Sequence, residues 1–327
     1  MTMSVGVGVQ AANTFVTAVA PGTFINALSY EVTPDNQIQC EPTIGQRGKL
    51  DPTPGDFVVS WKFAFELRGK NAGPLLGALF GDGSDTAAIV AGADYSHTFK
   101  MNDAEQWLTL TFAGKLAASQ EKVTGAFVEQ MDFSYEKGGK CIVVEVSGKG
   151  HSYDIEALAA ATFDTTGKYT GHHADLQIGA VGATASDTAI ESLKLTIKRR
   201  WELHYAPGSR EPVDADMLDL EITGSIDRRY DDLTQHKYFL GAAAATTPAA
   251  TLTAEEMDID LDTGVDMGGG TTYQLDINLK NIYFHKRSMA VKGRDRHLET
   301  YDFEAYVPSA GEQITVVYYN LDNAAYV

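Results

Sequence analysis

The stretch FVVSWKFAFELRGKNAGPLLGALFG occupies residues 57–81 and predicts one compact unit of structure. From Phe57 to Leu67, every second residue is bulky and apolar, which is the period of a β-strand with one buried face. Asn71 is a candidate N-cap for a short helix, because the apolar residues of 75–80 are spaced to cover one helical face. Gly81 suits the end of that helix. The stretch therefore predicts a half-buried strand, a tight turn and a short helix packed back on a sheet.

A second stretch, MLDLEITGSIDRRYDDLTQHKYFLG at residues 217–241, has the same order of features. Apolar residues alternate with polar ones as far as Ile226, and Asp231 or Asp232 can cap a short helix before the closing glycine. The second stretch starts about 160 residues after the first, which is near the usual size of a domain. Few residues are identical, so the shared order of elements carries the prediction of two related domains, and chance resemblance is the alternative.

The composition favours a mainly β protein without a broad basic surface. The chain has 327 residues, a formal net charge of −18, a pI near 4.7 and 31 glycines. An acidic surface repels a phosphate backbone, although a local basic patch is compatible with this composition. Cys40 and Cys141 are too few for a disulfide framework and lack CxxC spacing, so we expect two reduced thiols.

The first half of the chain predicts strands separated by loops. Residues 1–24 are small and polar and predict an arm or loop. Prolines and glycines recur in 33–56, which predicts a long irregular loop of the kind that is often interactive. Residues 82–94 predict another loop. Alternating apolar residues on both sides of a Gly-Gly turn in 123–146 predict a hairpin.

The second half begins after a segment poor in bulky apolar residues. Residues 156–191 predict a linker, and a short helix is expected near 155–161. Alternation in 298–319 predicts a hairpin that matches the one in the first half. Residues 320–327 predict a tail. No signal peptide or membrane span is expected from the sequence.

No common catalytic or cofactor motif is present. P-loop, GxGxxG, GxSxG and HExxH patterns are absent, which is weak evidence against an enzyme. Residues 258–264 resemble the start of a calcium loop, but Thr263 and Gly269 stand where glycine and glutamate are required. His172 and His173 indicate a solvated loop more readily than a metal site. We therefore predict no catalytic, cofactor-binding or metal-binding residues.

Basic residues cluster at 198–200 and at 285–297 within this acidic chain. Localised basic loops in an acidic protein are typical of self-assembly through complementary charges. A nucleic-acid site and ordinary solvated loops are the alternatives.

Four stretches together resemble the major tail tube proteins of long-tailed bacteriophages. They are EPTIGQRGKLDPTPGDF at 41–57, LLGALFG at 75–81, GAFVEQMDFSYEKGGK at 125–140 and VDADMLDLEITGSIDRRYDDLTQHKYFLG at 213–241. The resemblance covers both halves and lies in the order of elements. The segment at 151–191 and the Ala/Thr-rich segment at 242–254 match nothing in that family.

The resemblance implies a mainly β fold with two tandem tail-tube-like β-sandwich or barrel domains, each with one short flanking α-helix. The expected boundaries are 1–155 for the first domain, including the long loop at 33–56, 156–191 for the linker, and 192–327 for the second domain.

The implied function is structural. The subunit would form stacked homotrimeric rings with pseudo-sixfold symmetry around a channel that holds a tape-measure protein and conducts DNA during ejection. The implied partners are further copies of the chain, the tape-measure protein, tail-terminator and baseplate or tip proteins, and DNA bound transiently and without sequence specificity. The implied location is the virion tail, assembled in the host cytoplasm.

Two sets of residues follow as predictions. The residues predicted to line the channel are Glu129, Asp132, Ser134, Glu145, Glu299, Asp302 and Glu304. The residues predicted at contacts between subunits or rings are Arg47, Lys49, Asp51, Lys198, Arg199, Arg200, Arg287, Lys292, Arg294 and Arg296. The alternative functions are another β-rich virion protein, such as a terminator or an adhesin, and a β-sandwich enzyme acting on carbohydrate.

Overall fold

A computed structural model describes residues 3–11, 14–38, 52–114, 118–290 and 297–326. These residues form a mainly β structure, which confirms the fold class predicted from the alternating patterns. The described part of the chain has two α-helices, α1 (Gly73–Phe80) and α2 (Thr234–Phe239), and a 3-10 turn at Gly171–His173. The strands of the first half are β1 (Ser4–Val9), β2 (Thr23–Asp35), β3 (Val58–Glu66), β4 (Asp85–Ala91), β5 (Asp94–Phe99), β6 (Leu108–Ala113), β7 (Ser119–Glu136), β8 (Val143–Gly150) and β9 (Ser152–Ala157). Those of the second half are β10 (Ala174–Ala180), β11 (Ala183–Ser186), β12 (Ile190–Tyr205), β13 (Pro212–Arg229), β14 (Glu255–Asp266), β15 (Thr272–Ala290), β16 (Leu298–Ala305) and β17 (Ile314–Asn320).

Six strands of the first half close into a barrel. The antiparallel pairings run β1–β2, β2–β3, β3–β8, β8–β7, β7–β6 and β6–β1. β7 is long enough to belong to both layers of the barrel. Its first part pairs with β6 in the outer layer, and its last part pairs with β8 in the inner layer. β9 adds to the outer layer beside the first part of β7. Closure leaves few free strand edges, and free edges are sites of unwanted pairing.

The second half repeats this order of pairing. β12 pairs with β13, β13 with β16, β16 with β15, β15 with β14, and β14 with β10. In the second half, the hairpin of β10 and β11 takes the place that β1 and the start of β2 have in the first half. β15 divides between two layers as β7 does, and β17 lies beside its first part as β9 lies beside β7. Helix α1 follows β3, and α2 follows β13.

The strand registers show which residue of the first half is equivalent to which residue of the second half. On the paired strands β2 and β3, Glu31 lies opposite Lys62, and 163 positions further along the chain Lys194 lies opposite Ser225. After the helices the spacing falls: Val143 begins β8 and Leu298, 155 positions further on, begins β16. The repeat therefore extends to equivalent residues in both halves.

One continuous sheet joins the two halves. Residues Gln130 to Glu136 of β7 pair antiparallel with Lys198 to Ser192 of β12. The resulting inner sheet has the strand order β2, β3, β8, β7, β12, β13, β16, β15. A second junction lies in the outer layer, where β5 of the first half pairs with β17 of the second. The two halves therefore share hydrogen-bonded strands in both layers.

The stretch at 57–81 forms the strand and the helix that its sequence predicts. Trp61, Phe63 and Phe65 of β3 are buried, whereas Ser60 and Lys62 on the opposite face are exposed. The helix α1 is buried on all sides rather than on one face. The reason lies at the other end of the chain, because the C-terminal segment covers the face of α1 that would otherwise meet solvent.

The predicted tail at 320–327 is therefore wrong for the part that the structure describes. Tyr326 lies against α1, and its ring centroid is 4.7 Å from that of His97. The backbone N–H of Tyr326 donates to Asp85 (2.9 Å), which also contacts the His97 ring at 2.7 Å. Only glycine at residues 73 and 77 of α1 leaves room for Tyr326, since a Cβ on either would overlap its atoms. Tyr326 thus packs against the core.

Other local expectations are corrected in the same way. Residues 4–9 form the barrel strand β1 instead of an arm, and Gly8 permits the backbone of Ala20 to approach, 2.8 Å from where a Cβ would stand. Residues 85–91 of the predicted loop form β4. Residues 152–157 form the strand β9 where a helix was expected.

The proposed N-cap and the predicted linker also differ from expectation. Ala72, not Asn71, is the N-cap of α1; the Asn71 side chain instead accepts from the Arg68 N–H (3.0 Å) and donates to the Glu66 carbonyl (2.8 Å). The segment predicted as a linker contains β10 and β11, and β10 pairs with β14. The division into domains at 155 and 192 stays a prediction.

Candidate functional site: a polar face across both halves

The exposed face of the inner sheet is mostly polar, with a few apolar residues such as Val143 and Leu298 among its polar ones. The core-facing side chains of the sheet are mostly apolar, with Arg199 and Glu299 as exceptions, so the strand period places most polar residues of the eight strands on the other side. On β7 and β12 this gives Asp132 opposite Thr196 and Ser134 opposite Lys194. On β13 and β16 it gives Thr223 opposite Glu304 and Ser225 opposite Asp302. The face is therefore one surface contributed by both halves.

Ion pairs across neighbouring strands hold several cations of this face. Lys62 Nζ lies 2.6 Å from a carboxylate oxygen of Glu145, and Lys149 Nζ lies 2.9 Å from Glu129. In the second half, Lys286 Nζ lies 3.3 Å from Asp302. The hydrogen bond and the charge of Glu145 raise the pKa of Lys62. These pairs are largely exposed, so they set the local charge pattern more than they stabilise the fold.

Hydroxyl and amide groups bind two further carboxylates of this face, Asp132 and Asp227. Asp132 accepts from the Thr196 hydroxyl of β12 (2.6 Å) and from the Gln130 amide of its own strand (2.7 Å). The first of these hydrogen bonds joins the two halves of the chain. Asp227 accepts from Ser192 (2.7 Å) and Thr300 (2.6 Å). Among the described residues, these carboxylates are therefore bound by neutral donors and not by a direct ion pair.

Six of the seven residues predicted to line a channel lie on this face. They are Glu129, Asp132, Ser134, Glu145, Asp302 and Glu304. Glu299 lies on the opposite face of β16 and is fully buried. Its carboxylate accepts from the Tyr301 hydroxyl (2.6 Å) and forms an ion pair with Arg287. Burial and the hydrogen bond that the Tyr301 hydroxyl donates to this carboxylate raise the pKa of Tyr301.

The residues predicted at contacts between subunits or rings divide into three groups. Lys198 lies on the polar face opposite Glu221, and Arg200 is exposed, 3.2 Å from Asp219. Arg199 is buried and donates to the carbonyl oxygens of Leu218 (2.9 Å) and Asn102 (3.0 Å), so it joins the two halves of one chain. Arg287 is engaged with Glu299. The residues Arg47, Lys49, Asp51, Lys292, Arg294 and Arg296 lie outside the described residues.

Strand parity could have excluded two of these predictions from the sequence. Glu299 shares its face of β16 with Tyr301, and Arg199 shares its face of β12 with Ile197; both of these neighbours are buried. The ion-pairing lysines Lys62 and Lys149 were missed, because their partners are set by pairing between distant strands.

The inner sheet ends in an unpaired strand edge on each side. β2 pairs with β3 from Ala27 to Asp35, and no described residue pairs with its other edge from Ser29 onward. β15 pairs with β16 from Ile282 onward, and no described residue pairs with its other edge beyond Ile282. Acidic Glu31 and Asp35 lie on the β2 edge, and Lys286 lies on the β15 edge. Such edges bind another strand readily.

The acidic strand that resembles a calcium loop is part of the outer sheet. Asp260 of β14 lies opposite Asp276 of β15. Burial and then the charges of Asp260, Asp262 and Asp258 raise the pKa of Asp276 to about 7. The described residues contain no group of three or more His, Cys, Asp or Glu side chains arranged to hold a metal ion.

Comparison with known proteins agrees with the structural role implied by the resemblance. A sequence-family model described as phage tail tube protein matches residues 3–304. No curated protein matches the chain. Neither helix of the described part of the chain is long and apolar enough to span a membrane.

Proposed function

Because the chain belongs to the phage tail tube protein family, we propose that three copies form a ring with pseudo-sixfold symmetry whose lumen is the polar face. The family role is that of a structural virion component that self-assembles into a tube. The observation that carries the ring proposal is the junction of β7 with β12, which lies between two free edges of the same sheet. A copy of that junction between chains would pair β15 with β2 of the next subunit.

The internal repeat predicts the register of this junction between chains. Within the chain, Gln130 of β7 lies opposite Lys198 of β12. The equivalent of Gln130 is Lys286, because the two residues pair with Ser147 and Asp302 at matching places on β8 and β16. The equivalent of Lys198 is Asp35, 163 positions earlier. Lys286 of one subunit therefore lies opposite Asp35 of the next, and opposite charges at that position favour the pairing.

The charge of the polar face supports a channel for DNA. Its lysines at 62, 149 and 286 are paired with carboxylates, whereas Lys194 and Lys198 are exposed on the same face. The face carries more carboxylates than lysines, so its net charge repels the DNA backbone. We propose that the lumen holds the tape-measure protein before ejection and passes DNA afterwards. The subunit has no catalytic role in this proposal and assembles in the host cytoplasm with the terminator and tip proteins.

The test is assembly of charge-swapped subunits, followed by negative-stain electron microscopy with mass determination of any rings. Asp35→Lys and Lys286→Asp should each impair ring formation, since an exposed pair is worth about 0.2–1 kcal/mol and reversal adds repulsion. The double swap should restore rings of three chains. Lys100→Asp is the matched control, because Lys100 is exposed and lies outside the inner sheet. Rings of six chains, or single swaps that assemble normally, would contradict the proposal.

A further inference from the structure

The outer layer has a second junction between the halves. Residues Tyr95 to Phe99 of β5 pair with Asn320 to Val316 of β17. β5 belongs to the hairpin β4–β5, which follows α1 in the chain. The hairpin of the first half therefore covers the outer edge of the second half.

The internal repeat assigns an equivalent to each side of this junction. β17 pairs with Gln274 to Leu279 of β15, and β9 pairs with Ser119 to Thr124 of β7, so β9 is the first-half equivalent of β17. The second-half equivalent of the β4–β5 hairpin is the segment that follows α2, residues 242–254. The outer junction between chains would join these two parts.

The β9 edge is open in the single subunit. β9 pairs only with β7 among the described residues. Ile155 at its centre is 69% exposed, and Leu158 just after it is also exposed. An open edge that carries an exposed isoleucine is a surface on which an extended apolar segment can add.

The segment at 242–254 has the properties of such an addition. It reads AAAATTPAATLTA and contains no charged residue. It forms no strand of its own, and Leu252 is 61% exposed. Backbone hydrogen bonds from Ala249 to Leu240 and from Thr253 to Gly241 hold it at its base. From α2 to β14 there are fewer residues than from α1 to β6, so the segment has room for one added strand and not for a hairpin.

We propose that residues 249–254 of one subunit pair with the free edge of β9 in the next subunit and that Leu252 covers Ile155. This proposal rests on the ring proposed above, and it adds an outer junction to the inner one. The occupant is a second copy of this chain, because the same junction already exists within the chain between β5 and β17.

Hydrogen–deuterium exchange of the subunit and of assembled tubes tests the proposal. The peptide that covers β9 should exchange at least about tenfold more slowly in tubes than in the subunit, because new hydrogen bonds protect its amides. Tubes of Leu252→Lys, or of a chain with a short Gly/Ser linker in place of 243–252, should lose most of that protection. Val181→Lys is the control, because Val181 is an exposed apolar residue in another turn.

The two levels of the proposal fail in different ways. Unchanged exchange of β9 on assembly, or protection that survives both changes to the 242–254 segment, would overturn the outer junction. If peptides covering 28–35 and 283–289 are protected in those same tubes, the inner junction between chains is supported even though the outer junction is not. Loss of assembly in Leu252→Lys but not in Val181→Lys would support a contact between copies at residue 252.

Discussion

Replacing Gly73 with alanine should destabilise the subunit, although alanine is the better helix former. A Cβ at residue 73 would overlap the Tyr326 ring. Tyr326 is held in place, because its N–H donates to Asp85 (2.9 Å) and its hydroxyl accepts from Asn320 (2.9 Å). Overpacking of this kind costs about 1–3 kcal/mol. The helix propensity of alanine returns at most about 1 kcal/mol, so the net effect should be a loss.

The sign of the Gly73→Ala effect should reverse when the aromatic ring of Tyr326 is removed. Tyr326→Ala alone should lower the free energy of unfolding by about 3–5 kcal/mol, since a packed aromatic side chain is lost. In that background alanine at residue 73 meets no ring and should raise the free energy of unfolding by up to about 1 kcal/mol. The coupling between the two substitutions should therefore equal the overpacking cost, about 1–3 kcal/mol.

Urea unfolding of the unassembled subunit, followed by fluorescence and circular dichroism, measures all four variants of this cycle. Gly22→Ala is the control, because a Cβ there would meet no atom within 4 Å. If Gly73→Ala stabilises both backgrounds equally, the C-terminal segment does not pack on α1 and the reasoning fails.

Three further predictions follow from the described contacts. Glu299→Ala should destabilise the subunit by about 3–5 kcal/mol in urea unfolding, since it leaves Arg287 partly buried and unpaired; an equal loss in Arg200→Ala, whose pair with Asp219 is exposed, would contradict this. Asp276→Asn should raise the thermal midpoint at pH 8 and change it little at pH 4. The pKa of Asp276 in the folded chain is about 7, above its ordinary value of 3.8, so the folded state loses stability as the pH rises through that window; equal shifts at both pH values would refute it. Asp132→Lys with Glu145→Lys should slow DNA ejection from virions and leave tube assembly intact, because added cations attract phosphate; unchanged ejection kinetics would remove these residues from the lumen.

Alternation along single strands was enough to predict much of the fold. The buried Trp61, Phe63 and Phe65 stand at the positions that the period of β3 predicts. The order strand, turn and helix in both halves also predicted where α1 and α2 lie. These features are local, so one stretch of sequence contains the information that decides them.

Features that depend on distant contacts were not predictable in the same way. β1 is short and alternates valine with glycine, so its strand signal is limited to three valines, and its place in the barrel comes from pairing with β2 and β6. The packing of Tyr326 depends on Gly73 and Gly77, which lie some 250 residues earlier. The ion pairs of the polar face depend on strand register, which a single strand does not determine.

The junction between β7 and β12 has a consequence for how a ring of such chains would come together. In a ring of three chains, every second junction between repeats forms when a chain folds, at an effective concentration that is set by the covalent connection and not by dilution. The remaining junctions depend on encounters between molecules. Equivalent substitutions would then act at different times: at β12 on the yield of folded chain, and at β2 on the concentration at which tubes first appear.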